Sequence, residues 1–509
     1  MSYIEGFKEQ TWLLPPSVED LIPKDHVCFL VEALIDRVDY SSFDVKYSGP
    51  GHPAYHPGIM LKLLVMGVLD QVRSSRRLAK NARENVVYMY LSEKLSPDFR
   101  TISDFRKNNP EIVKDLFKHV VRIAHEEGLI DLSHLSTDGS TIKASASNKK
   151  TLTREELEFL TKFVDEELEE WAKKDKIEDE LFHESRGYDK LSEENQKRIK
   201  RLVGKYVEKY KDEGCVFKKF VKEKLAKAEK EVKEEKLEKV SLTDPEARFM
   251  KNKKGRVEYS YNVQITVDRG GFILANDVCQ VASDTNQLKS QVALTQKNLG
   301  EELINKPWTF DAGYFQGENL KFLEEEGIDA YIPSNDKSEI KDFDKENFHY
   351  DPVKDQYVCP EKQALTFFME ALHKRNIKNP GKIVRFYKGQ SCILCGKKHE
   401  CTKSKTGIRV IKRFPYEEER NRMIEKMKTE TGKETYKLRA QTVEPVIGDI
   451  KQNKRVTAFL TRHLKTVKTE FNIACTANNI KRIMNRRKEQ NTTHYKTIEN
   501  SIIIIGQPV

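Results

Sequence analysis

VEYSYNVQITVDRGGFILANDVCQV, residues 257–281, is where the chain changes character. Its first half alternates or runs apolar like a strand, with β-branched and aromatic residues. Asp268-Arg269-Gly270-Gly271 is a turn signal, and the strand pattern resumes at Phe272, so the stretch reads as a β-hairpin. Further on, SDTNQLKSQVALTQKNLG reads as a helix with Asp284 and Asn286 as capping residues. KPWTFDAGYF supplies a strand ending at Asp311, QGENLKFLEEEGI a helix ending at Gly327, and DAYIPS a short strand. Upstream, LSTDGSTIKASAS, residues 135–147, gives an earlier strand with a single acid, Asp138. With two intervening segments set aside as inserts, the order is β-β-β-α-β-α-β-α. That is a mixed sheet covered by helices, an α/β architecture. Sites in open sheets gather at the carboxyl ends of strands, where Asp138 and Asp311 both fall.

Residues 1–130 read as helical. GIMLKLLVMGVLDQV is apolar almost all round, the mark of a buried helix. SSRRLAKNARENVVYMYLSEKL crowds Arg73, Arg76, Arg77, Lys80 and Arg83 at its start, and TISDFRKNNPEIVKDLFKHVVRIAHEEGLI reads as a long amphipathic helix capped at Thr101 or Ser103. Such helices can meet DNA phosphates, and a helical domain with a solvated basic face has the same pattern. Residues 151–245 are a Lys/Glu-rich block. There, Leu157, Leu160, Val164, Leu168 and Trp171 share one stripe, and Ile199, Leu202, Val203, Tyr206, Val207 and Tyr210 another, as in an inserted helical arm. After the arm, Asp244 reads as a loop acid, with Arg248, Lys251, Lys253 and Lys254 as DNA contacts or solvated charges.

The 509 residues are 38% hydrophobic and 33% charged, and 90 basic against 80 acidic side chains leave a net charge of +10. That balance suits a polyanionic partner without identifying one. No apolar run approaches the roughly 20 residues needed to span a bilayer, and the N-terminus lacks a signal-peptide pattern, so the expected location is cytoplasmic, with no membrane partner. In that compartment eight cysteines do not form a disulfide framework. Cys28, Cys215, Cys279 and Cys475 are isolated and read as small buried residues. YVCPEKQAL and SCILCGKKHECTKS, inside an irregular insert at 339–415, supply Cys359, Cys392, Cys395 and Cys401. These make a four-sulfur structural Zn²⁺ site possible, with His399 able to replace Cys401. Lys397, Lys398, Lys403, Lys405 and Arg409 make the insert basic.

YKLRAQTVEPVIGDIKQNKR, residues 436–455, carries a third acid, Glu444, on a helix. Two aspartates and a glutamate offer oxygen alone, which suits Mg²⁺ or Mn²⁺. Two such ions about 4 Å apart serve in-line attack at a phosphodiester. Lys451, Lys454, Arg455, Arg462, Lys465 and Lys468 follow, and Lys481, Arg482, Arg486, Arg487 and Lys488 extend the basic face.

STDGSTIKA, TFDAGYFQGENL and the pattern Tyr436-x2-Arg439…Glu444-x6-Lys451 resemble the three motifs of DDE transposases from bacterial insertion sequences, in the Y-R-E-K signature group. The resemblance covers most of the chain, including YNVQITVD and FLTRHLKTVKTEFNIACTANNIKRI. It implies an RNase H-like core with Asp138, Asp311 and Glu444 holding two divalent ions, and a helical N-terminal transposase domain. Tyr436, Arg439 and Lys451 become DNA contacts, joined by Arg76, Arg77 and Arg455. The implied activity is binding of terminal inverted repeats, cleavage of double-stranded DNA and joining of 3′-hydroxyls to target DNA by a synaptic homodimer at the nucleoid. Glu444 follows Arg439 by five positions where the signature has four, which turns Arg439 by roughly 100° about the helix. A nuclease that does not join ends, and a DNA-binding protein that has lost catalysis, remain alternatives. The resulting plan has a helical N-terminal domain (1–130), the first core strand (131–150), the arm (151–245), the rest of the core (246–338), the Cys-bearing insert (339–415), catalytic and basic helices (416–490) and a tail (491–509) that ends in the β-prone SIIIIGQPV.

Overall fold

The computed structural model describes residues 17–41, 54–162, 214–252, 255–334, 342–372 and 383–500, with 192, 194, 197 and 201 as isolated positions. The expectations for Val164, Leu168, Trp171, all of the stripe from Ile199 to Tyr210, Lys253, Lys254 and the end of the tail lie outside the described residues.

The N-terminal helices are α1 (Val27–Ile35), α2 (Pro57–Leu69), α3 (Ser75–Glu84), α4 (Val86–Leu91), α5 (Phe99–Asn108) and α6 (Pro110–Glu126). Helix α2 is buried from Pro57 to Val68, as its unbroken apolar run requires. Lys62 lies within that run, neutralised by Asp36 at 2.8 Å and Glu32 at 3.7 Å. The single helix expected from Thr101 or Ser103 is two. Asp98 caps α5, accepting from the Thr101 N–H at 3.2 Å, and Pro110 opens α6 because its ring cannot continue the helix before it.

The core follows as β1 (Leu135–Lys143). The arm contributes β2 (Thr151–Thr153), α7 (Gly214–Glu234) and β3 (Lys239–Ser241). In the arm, Leu152, Leu157 and Leu160 pack with Leu225, Ala228, Val232 and Val240 as a core of their own. Then come β4 (Arg248–Lys251), β5 (Val257–Asp268), β6 (Ile273–Cys279), α8 (Leu288–Leu299), β7 (Pro307–Phe310), α9 (Gly317–Glu325) and β8 (Asp329–Tyr331). Strand β5 is antiparallel to β1 and carries β4 and β6 along its other edge, while β7 and β8 continue parallel beyond β1. This is the expected mixed sheet, with one strand more.

The stretch expected to be a basic loop is thus partly strand β4, and Arg248 is ion-paired with Glu231. Asp244 does lie in the loop between β3 and β4, but not as a solvated acid. It is buried, accepting from the Tyr261 hydroxyl at 3.0 Å and the His463 N–H at 3.1 Å.

The Cys-bearing insert is not irregular. It forms an antiparallel sheet of β9 (His349–Asp351), β10 (Gln356–Val358), β11 (Ala364–Leu372), β12 (Ile383–Gly389) and β13 (Val410–Arg413). Phe348, Tyr357, Leu365, Tyr387 and Ile411 are its small core. Strands β9, β10 and β13 have only three or four residues, too few to show an alternation, and β11, ALTFFMEAL, carries its apolar residues without one.

Helices α10 (Glu417–Lys428), α11 (Glu430–Gln452) and α12 (Leu464–Asn500) end the described chain. Helix α11 lies against β1, β5 and β7, and α12 runs between β6 and helices α2 and α6. One continuous apolar cluster joins the N-terminal helices to the sheet. Arg73, expected on a basic face, is instead a tie inside this joint. It pairs with buried Glu470 at the start of α12 at 2.5 Å and donates to the Ala458 carbonyl at 2.6 Å. Lys454 is likewise withdrawn from the basic run, buried against Asp449 and Asn478. No described helix is long and apolar enough to cross a membrane.

Candidate active site

Strands β1 and β7 run parallel, and their last paired register sets Thr137 opposite Phe310. The next residue on each is an acid, Asp138 and Asp311. Asp138 is not at the end of its strand, as first read, since β1 runs on to Lys143, paired with β5 and, at Lys143, bridged to Ala458. Asp311 does leave β7, into the single turn Ala312–Tyr314. The register therefore makes Asp138 and Asp311 the next residues on neighbouring parallel strands at the point where β7 stops, and both act electrostatically on Arg439.

Glu444 comes from α11, whose side chains Val443, Val446, Ile447 and Ile450 are buried toward the sheet. The Glu444 side chain is 53% exposed, at the lip of the site. Arg439 lies between helix and strand. Its Nη2 is 2.8 Å from Asp138 Oδ1 and its Nη1 3.4 Å from Glu444 Oε1. The five-residue spacing does not swing Arg439 away from the acids, because its long stem and forked head reach both. Burial works against the Arg439 charge, but Asp138, Asp311, Tyr436 and Glu444 outweigh it, so its pKa lies above the usual value. Tyr436 is half-buried, and burial pushes its phenol up against the pull of Arg439. Lys451 donates to Ser140 Oγ at 2.7 Å and to the Thr141 carbonyl at 2.9 Å, pinning α11 to β1. Arg76 and Arg77 on α3 are exposed, Arg76 stacking 4.9 Å over the Phe99 ring. Arg455, beyond α11, is exposed as well.

Sequence reasoning missed a fourth carboxylate. Asp284 makes no side-chain capping bond. It accepts instead from Asn262 Nδ2 at 2.7 Å and Gln264 Nε2 at 2.5 Å, both on β5. It lies so close over Gly139 that a Cβ there would overlap Asp284 Oδ1 and Gln264 Nε2. Thr285 Oγ1 donates to the Gly313 carbonyl at 2.9 Å, tying this turn to the one after Asp311. Between them lies Tyr314, fully buried, its hydroxyl donating to Gln264 Oε1. Burial drives the Tyr314 phenol far up, and Asp284, Asp138 and Asp311 add to the shift in that order. The signal in the sequence was Asn262-x-Gln264, two amides on the polar face of an alternating strand, which must find acceptors once that face is buried.

The acids offer oxygen alone, the donor set of a hard divalent cation. Among the described residues no three His, Cys, Asp or Glu side chains stand close enough to hold an ion as placed. The positive charge among the acids is supplied by Arg439.

Two family models match the chain. A transposase DDE domain matches residues 358–484, which contain Tyr436, Arg439, Glu444 and Lys451. A transposase domain, DUF772, matches residues 16–108, which contain Arg76 and Arg77. Asp138 and Asp311 lie outside both stretches. No curated protein matches.

Proposed function

Its two family matches support a DDE transposase of an insertion sequence, and on that premise we propose that the protein binds the inverted repeats at the ends of its element, cuts the DNA there and joins the freed 3′-hydroxyls to target DNA. The observation that carries this reading is the β1–β7 register, which puts Asp138 beside Asp311. Glu444 is linked to Asp138 through Arg439. Asp138, Asp311 and Glu444 are assigned as the catalytic acids.

DDE transposases use divalent metal ions, and Mg²⁺ or Mn²⁺ on these acids would activate the attacking oxygen and stabilise the leaving one. Arg439 holds the acids together against their mutual repulsion, and its guanidinium becomes available to a DNA phosphate when other cations neutralise them. Lys451 acts by fixing α11 on β1, which sets the height of Glu444 over the sheet. Tyr436 faces the same acids. Arg76, Arg77 and Arg455 are assigned to the DNA backbone, where charge counts and sequence does not. Two element ends brought together call for two active sites, hence a homodimer in the synaptic complex, and the DNA substrate places it at the nucleoid.

The test is a cleavage and joining assay with labelled inverted-repeat ends, target DNA and Mg²⁺. Asp138→Asn, Asp311→Asn and Glu444→Gln should each abolish cleavage and leave gel-shift binding of the ends intact. Cleavage that survives all three changes rejects the assignment. Pre-cut ends that are never joined to target identify a nuclease instead.

A further inference from the structure

The β9–β13 sheet has a core of five buried side chains, too few to hold a separate lobe on apolar burial alone. Beside that core is a cavity lined by Cys359, Cys392, Cys395 and Cys401 together with Phe348 and Leu365. The four cysteines come from two turns. In the first, between β10 and β11, the Cys359 carbonyl accepts from the Lys362 N–H at 2.8 Å, and Cys359 Sγ accepts from the Gln363 N–H at 3.3 Å. In the second, after β12, the Cys395 N–H donates to the Cys392 carbonyl at 3.2 Å, and one helical turn then brings Cys401 back to the cavity. Gly389 leaves room for one of the sulfurs, since a Cβ there would overlap Cys392 Sγ. None of the four is in a disulfide. His399 is exposed and does not line the cavity, so the sequence alternative to Cys401 falls away.

We propose that this cavity is a structural Zn²⁺ site closed by the sulfurs of Cys359, Cys392, Cys395 and Cys401. Four thiolates around Zn²⁺ carry a net charge of −2, and Lys398 and Arg409 line the same cavity to offset it. As placed, no three of the thiols stand at coordinating distance, so binding draws them inward. The ion joins the β10–β11 turn to the segment between β12 and β13, holding together both ends of a sheet whose own core is small. The site has no open position and takes no part in the chemistry at Asp138.

The experiment uses the full chain, purified under reducing conditions without chelator. Elemental analysis should find about one zinc per chain, as for a closed four-ligand site. Replacement by Co²⁺ should give thiolate-to-cobalt charge-transfer absorption and the visible bands of a tetrahedral ion. Cys392→Ser and Cys401→Ser should each lower the zinc content about tenfold or more, and His399→Ala should leave it unchanged. If a serine variant fails to fold, the cobalt spectrum of the wild-type chain decides. The proposal is overturned if the wild-type chain holds no zinc and takes up cobalt without thiolate absorption. It is also overturned if the four cysteines are found as disulfides, or if His399→Ala loses the metal. These readouts do not depend on DNA cleavage, so their failure leaves the assignment of the acids standing.

Discussion

Arg439 Nη2 lies 2.8 Å from Asp138 Oδ1, and the same guanidinium reaches Glu444 at 3.4 Å. One cation thus sits where a cluster of acids would otherwise repel. Removing it leaves the buried Asp138 carboxylate without its counter-charge, which costs about 3–5 kcal/mol when one partner of a buried pair is deleted. Arg439→Ala should therefore unfold at clearly lower denaturant concentration than wild type. Mg²⁺ should recover part of that loss and raise the midpoint of the variant more than that of wild type, because the acids then have no competing cation. Equal Mg²⁺ shifts in the two proteins would mean that Arg439 and the ion do not share a site.

Asp284 is held by two amides on β5 and overhangs Gly139, the residue after Asp138. Asp284→Asn keeps the shape and removes the charge. It should leave the circular dichroism spectrum intact and lower the rate of DNA cleavage about tenfold or more, in the range seen when a residue supporting a metal ligand is replaced. An unchanged rate would reduce Asp284 to a structural acceptor. Gly139→Ala forces a Cβ into Asp284 and Gln264, and overpacking of that kind costs about 1–3 kcal/mol. Its signature is a lower unfolding midpoint.

Much of this layout was legible because it follows period and turn chemistry. The 257–281 hairpin, the strand ending before Asp311 and the all-apolar run of α2 each carry their pattern locally. What was hidden depends on partners far along the chain. Asp284 reads as a cap until Asn262 and Gln264 fold back over it. Arg73 reads as a surface charge until Glu470, 397 positions away, reaches it. The break between α5 and α6 was visible as Asn109-Pro110, and the periodic apolar residues on either side outweighed it in the reading. In the Cys-bearing sheet, β9, β10 and β13 are too short to declare themselves, and β11 lacks the alternation that would mark a half-buried strand.

Lys451 donates to Ser140 and Thr141 in the part of β1 that continues past Asp138. Lys451→Met preserves the length of the stem and removes both bonds. A charged hydrogen bond contributes about 1.5–3 kcal/mol, so the variant should be destabilised on that scale. If the role of Lys451 is to set the position of Glu444, cleavage should fall while the salt dependence of DNA binding stays as in wild type. A direct phosphate contact would instead reduce the slope of log K against log salt by about one charge. Measuring both quantities on the one variant separates the two roles.

His134, just before β1, supplies a pH dependence of known sign. Its Nε2 is 3.1 Å from Thr309 Oγ1, and its Nδ1 is buried without a hydrogen-bond partner. Burial, and then Arg269, push the imidazole down to about 4 from 6.5. Between those values the unfolded chain binds a proton that the folded chain refuses. Stability from this residue is therefore complete above about pH 6.5 and is lost as pH falls toward 4. Asp268 opposes it, since burial raises its carboxyl to about 6 and the folded chain there holds a proton that the unfolded chain has released. The net curve of the wild type mixes the two, so only a comparison isolates the histidine. His134→Gln keeps a polar group toward Thr309 and cannot titrate. Its stability deficit, measured by denaturant unfolding at pH 7, 6 and 5, should shrink as the pH falls, because the wild type loses the His134 contribution over that range and the variant has none to lose. Parallel curves for the two proteins would show that the ring titrates in the folded chain as it does in the unfolded one.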